Sequence, residues 1–314
     1  MENVQNNLEK SILATIAYFD VFDYPLTIVE IWKWLYEKDF GGNSLSVGTI
    51  WKELENNQLI KSLVESRQGF YFLKNRGDLV ELREARYVLG AKKIKRARKV
   101  ARFLKFIPGI KMIAICNSLA WANAREESDI DFFIVTTPNK IWTTRFLAAG
   151  FLQFFGLRPN RKSNKDKICL SFFVDETSLN LEPLSISAPD VYLVYWIAQL
   201  QPLFDSGGVY QNFWQSNNWV KKFLPNVFPK GGKAKNDKIY FPGAAGFMEK
   251  FFHWLQLKIL PKNLRAMANL DSKVVITDKV LKFHSNDRRD EYKKMWEEKL
   301  AKLINSHEDF GKNN

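Results

Sequence analysis

The sequence predicts a mixed α/β protein, of the α+β kind, in which a central mixed sheet is flanked by helices. Two observations support this prediction. Between residues 109 and 225, short apolar runs of strand length alternate with longer apolar segments of helix length. Ahead of this region lie three helical patterns and a hairpin pattern, and behind it lie two further helical patterns. We therefore expect four parts, which span residues 1–76, 77–108, 109–225 and 226–314.

The first part, residues 1–76, combines three helices with a hairpin. A helix is predicted over 8–22 and ends at the break "DYP". Thr27 and Glu30 have the spacing of a capping box at the start of a second helix, and Ser46 can cap a third. The segments "LIKSLVE" and "FYFLK" then predict two strands joined by the turn "SRQG". This order of elements resembles the winged helix-turn-helix family.

That resemblance implies that the third helix is a recognition helix and that the wing can contact phosphates. The exposed face of the helix would carry Thr49, Lys52, Glu53 and Asn56, and the wing would offer Lys61, Arg67 and Lys74. The helix face is not strongly basic, and winged helices also serve as protein-docking or scaffold modules. DNA binding and a scaffold role therefore both stay open for this part.

The second part, residues 77–108, predicts basic connecting helices. Its segment "AKKIKRARKVARFLKF" contains no acidic residue, and its cations are Lys92, Lys93, Lys95, Arg96, Arg98, Lys99, Arg102 and Lys105. Ile94, Ala97, Ala101 and Leu104 recur at helical spacing, which predicts one packed stripe and a basic face in solvent. With a formal charge of +13 for the chain, that face is either an ordinary solvated surface or a binding face for a nucleic acid or polyphosphate.

The third part, residues 109–225, predicts strands and helices in alternation. The strands are "KMIAIC", "DIDFFIVT" and "KICLSFFV", and the helices are "SLAWANAR", "IWTTRFLAAGFLQFFGL" and "PDVYLVYWIAQLQPLF". A Pro-, Gly- and Lys-rich linker over 226–243 follows, and then the helices "AAGFMEKFFHWLQLKIL" and "DRRDEYKKMWEEKLAKLI". The first of these is amphipathic. It can pack onto the body, which is the commoner fate of such a helix, or lie at a membrane interface.

Two aspartates stand at the start of the second strand of this region. Asp129 and Asp131 are two residues apart, so their side chains point to the same face of the strand. Two carboxylates on one face can bind Mg²⁺ through oxygen, and such sites support displacement at phosphorus. Ser118 follows the first strand at a strand-to-helix turn, where a hydroxyl and backbone amides can receive phosphate oxygens.

The pattern "NS…SDID" resembles the signature of the DNA polymerase β-like nucleotidyltransferase superfamily, which has a Gly-Ser turn, a short helix and then Asp-x-Asp on the next strand. The resemblance covers residues 110 to 180. It implies that Asp129 and Asp131 hold Mg²⁺ while an acceptor hydroxyl attacks the α-phosphorus of a nucleoside triphosphate and pyrophosphate leaves. It also implies nucleotide contacts from Asn117, Ser118, Arg125 and Ser128, with Arg145 as a further candidate cation.

Two departures from that signature bear on catalysis. Asn117 replaces the glycine, and asparagine tolerates a left-handed backbone better than most residues. The third carboxylate of the family has no clear counterpart, because its place on the third strand holds Cys169 or Ser171. The nearest upstream acid is Asp166, which we name as the third catalytic candidate. If Asp166 reaches the site, we expect a nucleotidyltransferase. If it does not, the alternative is a degenerate fold that acts as a nucleic-acid-binding or regulatory adaptor.

Other chemistries find less support in the sequence. The histidines have no metal-ligand spacing, which disfavours a zinc site and a catalytic triad, and they are His253, His284 and His307. We expect Asp287 to cap the last helix rather than to act in a site. A glycine-rich P-loop is absent from the sequence.

The sequence favours a cytoplasmic protein without a membrane span. The opening "MENVQNNLEK" is polar and does not resemble a signal peptide. The longest apolar segments are short for a bilayer, and one of them is interrupted by Arg145. Cys116 and Cys169 lie in apolar runs and suit the core of a reduced protein.

Overall fold

The computed structural model of the chain describes residues 2–37, 45–160, 163–229 and 245–311. It confirms the mixed α/β class, with a six-stranded mixed sheet flanked by helices and a separate three-stranded sheet in the N-terminal part. Most of the predicted linker, residues 226–243, lies outside the described residues.

The N-terminal part combines short helices with an antiparallel sheet in the order β1-β3-β2. Its elements are α1 (Glu2–Asp20), β1 (Leu26–Thr27), α2 (Ile28–Lys33), α3 (Val47–Asn56), α4 (Gln58–Leu63), β2 (Val64–Arg67) and β3 (Phe70–Leu73). Both predicted caps are present. Thr27 and Glu30 form a reciprocal capping box on α2, and the Ser46 side chain accepts a hydrogen bond from the Thr49 amide at the start of α3.

Two predictions for this part are wrong. The segment "LIKSLVE", predicted as a strand, is mostly helix α4, and β2 begins only at Val64. Asn57 explains the difference, because its side chain accepts a hydrogen bond from the Ile60 amide at 3.1 Å and so caps a new helix. Glu53, predicted on the exposed face of α3, is buried and accepts a hydrogen bond from the Asn57 side chain at 2.6 Å.

Helix α5 (Leu79–Leu104) runs without a break through the basic segment. Ala97, Ala101 and Leu104 are buried, as their spacing predicts. Lys93 departs from the prediction, because only 1% of its side chain is exposed. The remaining cations of the segment are exposed, apart from the half-buried Lys105. One face of α5 is therefore strongly basic, whereas Lys93 is buried.

The central sheet has the strand order β7-β4-β5-β6-β9-β8. Strands β5 and β6 are parallel, and the other neighbouring pairs are antiparallel. The strands are β4 (Ile110–Ile115), β5 (Ile130–Thr136), β6 (Ile168–Asp175), β7 (Gln201–Asp205), β8 (Val274–Ile276) and β9 (Val280–Phe283). The helices are α6 (Ile141–Phe154), α7 (Val191–Gln199), α8 (Val209–Ser216), α9 (Ala245–Ile259), α10 (Lys262–Met267) and α11 (Arg289–Gly311), with 3-10 turns at Asn117–Trp121, Glu182–Leu184 and Asn218–Lys222.

Three of these strands differ from the sequence prediction. The helix predicted over "PDVYLVYWIAQLQPLF" ends at Gln199, and the residues after it form the edge strand β7. Pro202 accounts for this, because proline breaks a helix interior but is tolerated in an edge strand. Strands β8 and β9 form a hairpin that extends the sheet beyond β6. The sequence interpretation treats the residues around His284 only as a polar, charge-dense start of the last helix and predicts no hairpin.

Alternate residues of the strands build an apolar core on each face of the sheet. On one face, Phe133 of β5 clusters with residues of α1, α7 and α8, and Trp296 of α11 joins this cluster. On the other face, Ile130 and Phe132 cluster with residues of α5 and α6. Because α1 belongs to the first core, the N-terminal part shares a continuous core with the sheet.

Helix α9 packs against α6 by one of its faces. The Glu249 carboxylate accepts hydrogen bonds from the amides of Trp142 and Thr143 at 2.7 and 2.9 Å, at the start of α6. Phe252 stacks on Phe146, with ring centroids 4.3 Å apart, whereas Phe247 is 81% exposed. The helix thus packs onto the body and keeps an exposed apolar face. Across the described ranges, no helix combines the length and apolarity that crossing a bilayer requires.

Candidate active site

The two predicted aspartates converge with a cysteine at one end of the central sheet. Carboxylate oxygens of Asp129 and Asp131 and the thiol of Cys169 lie within 4.8 Å of one another. The strand register explains this, because Asp131 on β5 is paired with Cys169 on the parallel strand β6. All three residues are half-buried. The fold therefore places two carboxylates and a thiol around one point.

Negative charge in this cluster is unfavourable without a cation. Burial and the nearby charge of Asp129 raise the pKa of Asp131 to about 6, although hydrogen bonds from Asn117 and Cys169 act in the opposite direction. Burial likewise raises the pKa of Asp129. Burial and the two carboxylates raise the pKa of the Cys169 thiol, so it is uncharged at neutral pH. A bound divalent cation would relieve the repulsion between the two carboxylates.

Asn117 has a backbone conformation that suits the turn glycine of the resemblance. Its φ is 55°, in the left-handed region that asparagine tolerates. Its side-chain oxygen accepts a hydrogen bond from the Trp196 indole at 2.8 Å, and its side chain also bonds Asp131. Asn117 thus links α7 to the acidic cluster and holds the orientation of Asp131.

Ser118 lies beside the acidic cluster rather than directly on it. It is the second residue of the turn Asn117–Trp121, a 3-10 helix at the place where the sequence predicts a short helix over "SLAWANAR". Its carbonyl accepts a hydrogen bond from the Asn123 amide at 2.9 Å. Ser118 lines a recess that adjoins the cleft above Asp129 and Asp131.

The third acidic candidate, Asp166, lies outside the group of converging ligand atoms. Its carboxylate is bound to the buried ammonium of Lys93 at 2.7 Å. The same ammonium donates hydrogen bonds to the carbonyls of Glu126 and Ser128 at 3.0 and 2.7 Å. Lys93 therefore fastens Asp166 and the loop that leads into Asp129. Cys169 takes the position in the cluster for which the sequence suggests Asp166.

The other residues predicted to contact the nucleotide form hydrogen bonds within the protein. The Ser128 hydroxyl donates to the carbonyl of the exposed Arg125 at 2.8 Å, which closes the loop before β5. Arg145 is half-buried and donates to the Gln256 side chain at 2.6 Å, with its guanidinium 4.5 Å from the ring of Phe283. These contacts give all three residues structural partners.

Above the acidic cluster lies a cleft with a volume of about 660 Å³, whose far wall the sequence does not predict. That wall comes from β9 and the start of α11, and it includes Lys282, His284, Arg288 and Arg289. The volume is within the range of small-molecule sites. The hairpin pattern "VVITDKVLKF" is the sequence signal that could have revealed the wall, because β-branched residues flank a polar turn.

His284 is the main functional candidate that the sequence interpretation misses. Its Nε2 lies 3.0 Å from the hydroxyl of Ser171, on the same strand as Cys169. Burial, with the positive charge of Lys282 adding to it, lowers the pKa of His284 to about 3. The imidazole is therefore neutral at physiological pH. It forms a polar wall of the cleft without adding charge.

Four buried charges hold this wall in place. Arg289 contacts Asp190 at 2.7 Å and Asp287 at 2.9 Å, and Lys282 contacts Asp287 at 3.0 Å. Burial alone would raise the pKa of Asp287, but the hydrogen bonds from Arg289 and the charge of Lys282 lower it to about 2. The Asp287 carboxylate also accepts a hydrogen bond from the Arg289 amide at 3.1 Å, next to the start of α11 as the sequence predicts. The charges of the two cations and the two carboxylates balance. Their contacts hold β9 against the start of α11.

Comparison with known proteins finds no relative: no protein-family model matches the chain, and no curated protein or solved structure matches it. The resemblance to nucleotidyltransferases rests on the sequence motif.

Proposed function

We propose that the chain is a metal-dependent nucleotidyltransferase, which transfers a nucleoside monophosphate from a nucleoside triphosphate to a hydroxyl acceptor. The observation that supports this proposal is the convergence of Asp129, Asp131 and Cys169 at the floor of a cleft with basic residues in its wall. The motif that begins at Asn117 and Ser118 borders the same cleft.

The donor set fits a hard divalent cation through its oxygens. Asp129 and Asp131 would hold Mg²⁺, because both are carboxylates and their raised pKa values reflect charge that a cation would stabilise. Cys169 is a soft donor and suits Mg²⁺ poorly, so we assign it as an uncharged neighbour rather than a ligand. When bound, Mg²⁺ would neutralise charge on the reacting phosphates.

The chain's own residues orient the groups of the site. Asn117, held by Trp196, fixes the carboxylate of Asp131. Arg288 lies at the cleft and is 47% exposed, and its guanidinium donates hydrogen bonds to the Glu291 carboxylate, so a phosphate would have to replace Glu291 as its partner. The acceptor oxygen forms a bond to the α-phosphorus, the bond to pyrophosphate breaks, and the acceptor proton is released. Asp166 is bound to Lys93 and does not join Asp129 and Asp131, so the acceptor proton passes to solvent or phosphate, and the lack of this third carboxylate favours the second candidate below.

A labelled-nucleotide assay tests this proposal. The wild type is incubated with each α-labelled nucleoside triphosphate and Mg²⁺, in parallel with Asp131→Asn. Asp78→Asn is the matched control, because Asp78 is exposed and its side chain makes no capping hydrogen bond. We expect label transfer and pyrophosphate release in the wild type and the control, and loss of both in Asp131→Asn. Equal turnover in all three proteins would refute the proposal.

A polyanion-binding adaptor is the second candidate, and the surface of α5 favours it. Lys92, Lys95, Arg98, Lys99 and Arg102 are exposed, and none of them lies within salt-bridge distance of an acidic side chain in the described part of the chain. In the wing, by contrast, Arg67 is paired with Glu81. The basic face of α5 is therefore available to phosphates.

Salt dependence distinguishes this adaptor from an ordinary solvated surface. Arg98→Gln, Lys99→Gln and Arg102→Gln are combined, and Lys221→Gln with Lys222→Gln serves as the control at another exposed pair. We expect the triple variant to weaken binding to a labelled nucleic acid and to reduce the salt slope by up to about one unit per removed cation. An unchanged slope in the triple variant would exclude α5 as the binding face.

A further inference from the structure

A recess with aromatic walls opens beside the acidic cluster. Its volume is about 240 Å³, and it is distinct from the phosphate side of the cleft. Its rings belong to Tyr18, Phe22, Trp121, Tyr192, Trp196 and Tyr292. They come from the N-terminal helix and the turn after it, the turn that carries Ser118, and helices α7 and α11. The recess therefore exists only when distant parts of the chain have assembled.

The rings pack against one another around the recess. Tyr192 and Tyr292 are nearly parallel, with centroids 5.6 Å apart and an interplanar angle of 19°. Phe22 meets Tyr292 edge to face at 4.9 Å and meets Trp121 edge to face at 5.5 Å. Phe22, Trp121, Tyr192 and Tyr292 are half-buried, so part of each ring is open to the recess. Such partly open rings offer stacking surface.

The recess and the acidic cleft are neighbours that share part of their walls. Asn117, Tyr192, Trp196 and Tyr292 line both of them. A ligand whose phosphates lie at Asp129 and Asp131 therefore has its next group close to the recess. The rings disfavour charged groups there, while the polar side chains in the lining, which are Asn117, Ser118 and Gln199, suit the polar edge of a ring.

We propose that this recess binds the nucleobase of the nucleoside triphosphate by stacking, an inference that rests on the proposed function. A nucleobase is flat, aromatic and polar only at its edge, which matches walls of rings with a polar border. Stacking depends little on which base is bound, because every base has an aromatic face. The recess therefore supplies affinity for nucleotides in general.

Calorimetric titration of two ligands tests the recess separately from the phosphate site. Inorganic tripolyphosphate and a nucleoside triphosphate are each titrated with Mg²⁺ into the wild type and into Phe22→Leu, because Phe22 lines the recess but not the cleft. Tyr87→Leu is the matched control, because Tyr87 is 61% exposed on α5. Thermal melting of each variant establishes that it is folded.

We expect the nucleotide to bind the wild type more tightly than tripolyphosphate does. Phe22→Leu should weaken nucleotide binding by roughly tenfold, the size of one lost stacking partner, and leave tripolyphosphate binding unchanged. Equal affinities for the two ligands in the wild type, or an equal effect of Phe22→Leu on both, would refute the nucleobase site while leaving the phosphate site intact. If neither ligand binds the wild type, the proposed function fails and this inference fails with it.

Discussion

Lys93 offers a sharp test of how the loop before Asp129 is held. Its ammonium is buried and has three partners, the carbonyls of Glu126 and Ser128 and the carboxylate of Asp166. Lys93→Met keeps a long side chain of good helix propensity but removes the donor. Two carbonyls then lose their partner, at about 1–3 kcal/mol each if they stay buried. The Asp166 side chain is 38% exposed, so its carboxylate can be rehydrated, and the loss of its ion pair with Lys93 adds little.

We therefore expect Lys93→Met to lower the free energy of unfolding by about 2–6 kcal/mol, the sum for the two carbonyls. Urea unfolding followed by circular dichroism measures this change, and Lys92→Met is the control, because the neighbouring lysine is exposed. The variant should also bind Mg²⁺ more weakly, since the loop leads directly into Asp129. If Lys93→Met were as stable as Lys92→Met, the Lys93 ammonium would not stabilise the loop before Asp129, and this reasoning would be refuted.

Three further predictions concern the cleft. The folded-state pKa of Asp131, about 6, lies above its unfolded value, so the stability it contributes is present below about pH 4 and is lost as pH rises through 6. Without Mg²⁺, Asp131→Asn should thus unfold at higher urea than the wild type at pH 7 but not at pH 4, and an equal difference at both would refute this. Cys169→Asp should tighten Mg²⁺ binding by roughly tenfold in calorimetry by adding a hard ligand, whereas Cys169→Ser should not. Arg289→Met should cost about 3–5 kcal/mol in urea unfolding, because it leaves Asp190 buried without its cation and Asp287 with Lys282 alone, and Arg288→Met at the exposed rim should cost far less.

The sequence predicts the features that depend on local pattern. Strand β5, its parallel neighbour β6 and the caps at Thr27 and Ser46 follow from periodicity and short-range hydrogen bonding. The left-handed backbone of Asn117 agrees with the turn that the nucleotidyltransferase resemblance implies at this position. These features need no knowledge of what packs against them.

Features that depend on distant contacts are less accessible from the sequence. Lys93 has a spacing that suits a solvent-facing residue, and its burial becomes clear only when Asp166 lies beside it. Cys169 joins the cluster because strand register places it opposite Asp131. His284 enters the cleft because the β8–β9 hairpin extends the sheet, which brings residues far apart in the chain to one site.

Mn²⁺ binding followed by electron paramagnetic resonance tests the metal site most directly, because bound Mn²⁺ loses the sharp signal of the free ion and the ion accepts carboxylate ligands as Mg²⁺ does. We predict saturable binding in the wild type and in Asp78→Asn, competition by Mg²⁺, and loss of binding in Asp131→Asn. Undiminished Mn²⁺ binding in Asp131→Asn would contradict the assignment of Asp129 and Asp131 as the metal site.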